Sequence, residues 1–165
     1  REELQRQIAA REAERAEQFP LDDPLGWVSL TPVTIKPESG AQATRLEDGS
    51  VLIGGASPDT DSTTVSLRGI PGEVHALRIE ALTHPSLGST GPGRTDHGNF
   101  VLTELAASVS REGKDHPVAF SRATADFAQE GFPPHLAFDG NQRTGWAIAG
   151  PNPLNQNRRA DFYLK

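Results

Sequence analysis

All 16 glycines and all 13 prolines of this 165-residue chain lie after residue 19. Glycine weakens helix and strand interiors, and proline removes a backbone donor, so punctuation this dense permits only short elements joined by frequent turns. Between the turns the residues alternate apolar and polar, the period of a half-buried strand. Trp27, Ser29, Thr31 and Val33 alternate with Val28, Leu30 and Pro32. Thr44 to Ile53 places Asp48-Gly49 between two β-rich runs, which predicts a hairpin with a type I′ turn. Thr63 to Leu67 is a further strand, and Ile70 to Glu73 a turn. His75 to Leu82 puts Leu77, Ile79 and Ala81 on one face, with Arg78 and Glu80 on the other. After a long loop over residues 84–98, Asn99 to Ser110 and Val118 to Phe127 read as strands. A last strand sets Ala160, Phe162 and Leu164 against Asp161 and Tyr163. Short strands with turns every 8–15 residues predict an all-β sandwich or barrel, and the missing helix–strand alternation excludes a doubly wound fold.

Residues 1–19, REELQRQIAAREAERAEQF, are nearly all strong helix formers and predict a helix that Pro20 ends, with a loop at 21–24. Leu4, Ile8 and Phe19 make only a thin apolar stripe, which suits a linker helix or the tail of a preceding helical domain; a short coiled coil is the other reading. The expected organisation is a helix and linker over 1–24 and a β-sandwich over 25–165. No secretory leader is legible, and the start without Met suggests a piece excised from a longer protein.

The net charge of −6 argues against nucleic acid, whose binders displace counterions with a basic stripe. No apolar run is long enough to span a membrane. With no cysteine there is no disulfide scaffold, zinc ribbon or thiol nucleophile. His75, His84, His97, His116 and His135 are scattered and never sit at metal-ligand spacing. No serine lies in a Gly-x-Ser-x-Gly elbow. Glu80 and Glu104, the acids considered for glycoside cleavage, read as ordinary mid-strand residues.

Two polar stretches remain as candidate sites. Asp139, Asn141 and Thr144 bring three oxygen side chains around Gly140, either an Asx turn beside a buried Trp146 or a site for a hard cation such as Ca²⁺. The loop carrying Arg94, Asp96, His97 and Asn99 is long, polar and rich in glycine, which suits either recognition or a self-capped solvated turn. Among the aromatic residues, Trp27, Trp146 and Tyr163 are the candidates for stacking on sugar.

The strings DGSVL, GPGR…GNFVLTE and DGN…GWAI resemble a β-sandwich module of large planctomycete-type cytochrome-c-associated surface proteins, over roughly residues 25–165. The DGN-x-x-T-x-W portion is also similar to discoidin or galactose-binding-like jelly rolls. The resemblance implies an antiparallel jelly roll and an extracytoplasmic setting beside other domains of a parent protein. It further implies one structural Ca²⁺ held by Asp139, Asn141 and Thr144, with main-chain oxygens near Ala137. Such modules continue past a strand like ADFYLK, so a missing partner strand and an open sheet edge are expected at that end. The expectation is a non-catalytic polysaccharide-binding module, with Arg94, Asp96, His97, Asn99 and Trp146 contacting the ligand; a structural spacer is the alternative.

Overall fold

The computed structural model describes residues 26–70, 72–150 and 154–165. The helix and loop expected over 1–24 lie outside the described residues. What is described is all-β: eleven short strands paired antiparallel, with two 3-10 turns at Gly88–Thr90 and Pro134–Phe138. The chain divides into two units, one built from residues up to Gly55 with Asp61–Arg68, the other from Ala56–Thr60 with Gly69–Lys165.

In the first unit β1 (Thr34–Pro37) pairs with β4 (Thr63–Ser66), and β2 (Gln42–Arg45) with β3 (Val51–Gly54). No strand forms over Trp27 to Val33; the ladder begins one residue later, at Thr34. The expected hairpin at Asp48-Gly49 is present, with a different turn. Gly49 N–H donates to the Leu46 carbonyl at 3.1 Å, and Leu46 N–H to Ser50 O at 2.9 Å. Gly49 has φ +84° while Asp48 keeps a negative φ, so this is a three-residue loop closed by a left-handed glycine, not type I′. Ser50 donates to Asp48 Oδ1 from its N–H (2.9 Å) and its hydroxyl (2.6 Å), and these bonds hold the Asp48 carboxyl below its ordinary pKa.

The second unit holds the apolar core. β11 (Arg158–Leu164) runs between β5 (Ala76–Ala81) and β9 (Phe120–Ala125). It is therefore the middle strand of a three-stranded sheet, paired on both sides, and the outer edges of that sheet belong to β5 and β9. Its alternation sends Ala160 and Phe162 inward, and both are wholly buried. Phe120 and Phe138 pack on Phe162 with ring centroids 5.8 and 6.3 Å away. Leu77 and Ile79 of β5 close the same core, on the face their alternation predicted. On the outer face Arg78 and Asp161 stand directly opposite and form a bidentate pair at 2.6 and 2.8 Å.

The run Asn99 to Ser110 is not one strand. β6 (Val101–Leu102) pairs with β10 (Trp146–Ala147), and the chain then leaves the ladder so that Leu105 N–H can donate to the Ala137 carbonyl at 2.6 Å. β7 (Ala107–Arg111) pairs with β8 (Lys114–Val118) in a hairpin the sequence reading missed. Its two loop residues, Glu112 and Gly113, have φ +52° and +75°, so the type I′ turn expected at Asp48-Gly49 occurs here instead.

Because Phe162 is buried against two other rings, truncation leaves a cavity and removes both ring contacts. Phe162→Ala is expected to cost about 3–5 kcal/mol in urea unfolding.

Candidate functional site

Trp146 organises the site from beneath. Its ring is wholly buried, and Phe100 meets it edge to face at 5.1 Å. A buried indole N–H must find an acceptor, and this one donates to the Phe127 carbonyl at 2.9 Å. Trp146 therefore offers no face to a ligand, correcting its expected role as a stacking residue. It fixes the backbone of the segment after β9.

That segment, Asp126 to Glu130, is held at several points. Asp126 N–H donates to Arg159 O at 3.1 Å, and Arg159 N–H returns a bond to Asp126 Oδ1 at 2.9 Å. Gln129 N–H donates to Ala147 O at 2.8 Å. The Arg158 guanidinium lies 4.6 Å from the centre of the Phe127 ring and 3.8 Å from Asp126 Oδ2. Phe127, Ala128, Gln129 and Glu130 face Ala149 and Gly150 across an open hollow of about 660 Å³. A side chain at Gly150 would press within 2.8 Å of the Phe127 ring, so glycine lets the two walls meet.

The glycine-rich loop is folded on its own backbone. Gly91, Gly93 and Gly98 are buried, and Gly93 N–H donates to Gly98 O at 2.9 Å. A Cβ at Gly93 would collide with the Asn99 carbonyl. Ser89 and Thr90 have φ +47° and +55°, left-handed backbone that the branched Thr90 adopts only under strain. The residues expected to act together here are dispersed. Arg94 donates to the Ala56 carbonyl at 2.6 Å, while Asp96 and His97 are exposed on the loop. Asn99 alone reaches the hollow's lining. Its Oδ1 accepts from Ile148 N–H at 3.1 Å, and its Nδ2 approaches Gln129 Oε1 at 3.5 Å.

The Asp139 turn closes beside Trp146. Asp139 Oδ1 accepts from Asn141 N–H and Oδ2 from the Thr144 hydroxyl, both at 2.8 Å. Asn141 Oδ1 accepts from Arg143 N–H at 3.1 Å. Glu104, read as a mid-strand residue, lies beyond β6, and its carboxylate accepts from Gly140 N–H at 3.1 Å. Two carboxylates, an amide oxygen and a hydroxyl thus surround Gly140, a donor set with the hard oxygens Ca²⁺ prefers. Among the described residues no three His, Asp or Glu gather at one point. Of the other aromatic candidates, Trp27 is half-buried in the first unit, and Tyr163 carries the Arg122 guanidinium 3.6 Å from its ring centre.

The hollow escaped sequence reading because Phe127 and Gln129 lie in the segment after β9 and carry no motif. Only their contacts with residues 147–150 bring the walls together. No family model matches this chain, and no curated protein or solved structure does either.

Gly93→Ala is expected to prise the loop from Asn99, costing roughly 1–3 kcal/mol of stability. Hydrogen exchange should speed up at the Ile148 amide, whose acceptor is the Asn99 side chain.

Proposed function

We propose that the second unit is a non-catalytic carbohydrate-binding module that holds a polysaccharide beside other domains of a larger extracytoplasmic protein. The observation that carries this reading is the open hollow, whose lining includes Phe127, Gln129 and Glu130. A sugar presents C–H faces to an aromatic ring and hydroxyls to amides and carboxylates, and an open hollow suits a chain that runs past it. Glu130 is the one carboxylate among the described lining residues, whereas glycoside cleavage uses a pair. The galactose-binding-like jelly roll belongs to this proposal, supported by the DGN-x-x-T-x-W resemblance and by antiparallel pairing throughout. So does the setting outside the cytoplasm, which rests on the resemblance alone.

Retardation of the chain by a panel of immobilised neutral polysaccharides tests the reading. One glycan class is expected to retard it, and Gln129→Ala with Glu130→Gln is expected to weaken that binding about tenfold, on the order of 1.4 kcal/mol. No retardation by any glycan, with the unfolding midpoint intact, turns the assignment to a structural spacer.

Structural calcium is the second part of the proposal. Asp139, Asn141 and Thr144 would hold it, with Glu104 as a further carboxylate, and the ion would brace the turn next to Trp146. Millimolar Ca²⁺ is expected to raise the thermal midpoint of the native chain but not of Asp139→Asn. An equal shift in both removes calcium from this turn.

A further inference from the structure

We propose that one exposed face of the β7–β8 hairpin is a second binding surface, which takes the sulfate or carboxylate groups of an acidic polysaccharide. The proposal rests on the glycan-binding reading above for its polymer, and on the hairpin's own register for its charge.

The two-residue type I′ turn at Glu112-Gly113 locks that register. Residues directly opposite in an antiparallel pair share a face. Ala107 with Val118, Val109 with His116, and Arg111 with Lys114 therefore project together, while Ser108 with Pro117 and Ser110 with Asp115 project on the other side. The turn thus sets two cations directly opposite each other, with a histidine next along the face. Like charges in that position destabilise a hairpin, and this chain has 22 acidic residues from which a partner could have been placed. Asp115, the nearest acid in the ladder, points to the opposite face, and Glu112 occupies the turn itself. Arg111 and Lys114 make no ion pair among the described residues. Beside them is a hollow of about 320 Å³ lined by Val109, Arg111, His116, Pro117 and Val118, with Val109 44% exposed.

An acid group seated between Arg111 and Lys114 would turn their repulsion into a shared attraction. The guanidinium offers a planar fork to sulfate or carboxylate, and the ammonium a mobile point charge. Val109 and Val118, on the same face, supply apolar surface for the sugar's C–H groups. Nucleic acid is the less suitable polyanion: residues 107–118 contain no Phe, Trp or Tyr on which a base could stack.

The test compares dextran sulfate, uncharged dextran and a single-stranded oligonucleotide, each titrated into the full chain at low and at raised salt. The native chain is expected to bind dextran sulfate, with affinity falling as salt rises. Arg111→Gln with Lys114→Gln is expected to weaken that binding about tenfold. The unfolding midpoint should not drop, because the double variant removes a like-charge pair. Asp115→Asn, on the opposite face, should leave binding unchanged. Dextran sulfate bound equally well by the double variant overturns the proposal, as does oligonucleotide binding of equal strength with the same dependence on Arg111 and Lys114. Loss of neutral-glycan binding in the Gln129 and Glu130 variants is a separate readout. If no neutral glycan binds but dextran sulfate does so through the hairpin, the hollow's assignment fails and the hairpin's stands.

Discussion

The hydrogen bond from the Trp146 indole to the Phe127 carbonyl ties a wholly buried ring of the second unit to the segment that lines the hollow. The indole is too large to leave half-packed and too polar at one atom to bury alone. Once its N–H is committed to Phe127, the backbone from Asp126 to Glu130 is fixed with respect to β10 and the residues after it. The hollow follows from that placement, and so does the position of Arg158 over the Phe127 ring. Arg158 faces inward from β11, as Phe162 and Ala160 do, and its Nε and Nη2 are buried with no hydrogen-bond partner among the described residues. The ring beneath it and the distant Asp126 carboxylate are its compensation.

Two loops brace this arrangement by different means. The glycine-rich loop packs main chain on main chain, which only residues without a Cβ allow, and passes its order to Ile148 through Asn99. The Asp139 turn uses side chains instead, tying Asn141, Thr144 and Gly140 with two carboxylates. Both loops were conspicuous in the sequence because each concentrates glycine and polar residues, but the glycine-rich loop disperses its polar side chains, whereas the Asp139 turn gathers its own about Gly140.

The contrast between two turns shows what local pattern carries and what it does not. Asp48-Gly49 and Glu112-Gly113 both separate β-rich runs, and the first has the more favourable residues for a type I′ turn. Yet Asp48 keeps an ordinary φ because its carboxylate is occupied by Ser50, two residues on, while Glu112 takes the left-handed conformation. Side-chain competition of that kind is not visible in hydrophobic periodicity. The alternation of β5 and β11 was legible because one face of each meets a core. The break after β6 was not, since it is caused by the Ala137 carbonyl, over thirty residues away.

β11 lies between β5 and β9, yet it is made after both of them. As the chain is synthesised, two strands that will never be neighbours must wait with a strand-wide gap between them. Each presents unpaired main-chain groups and apolar side chains until the gap is filled. Much of the core's pairing is therefore long-range and arrives in one late step, a topology that folds slowly and leaves sticky edges exposed meanwhile. The same insertion makes the unit cooperative: withdrawing one seven-residue strand separates both of its neighbours at once.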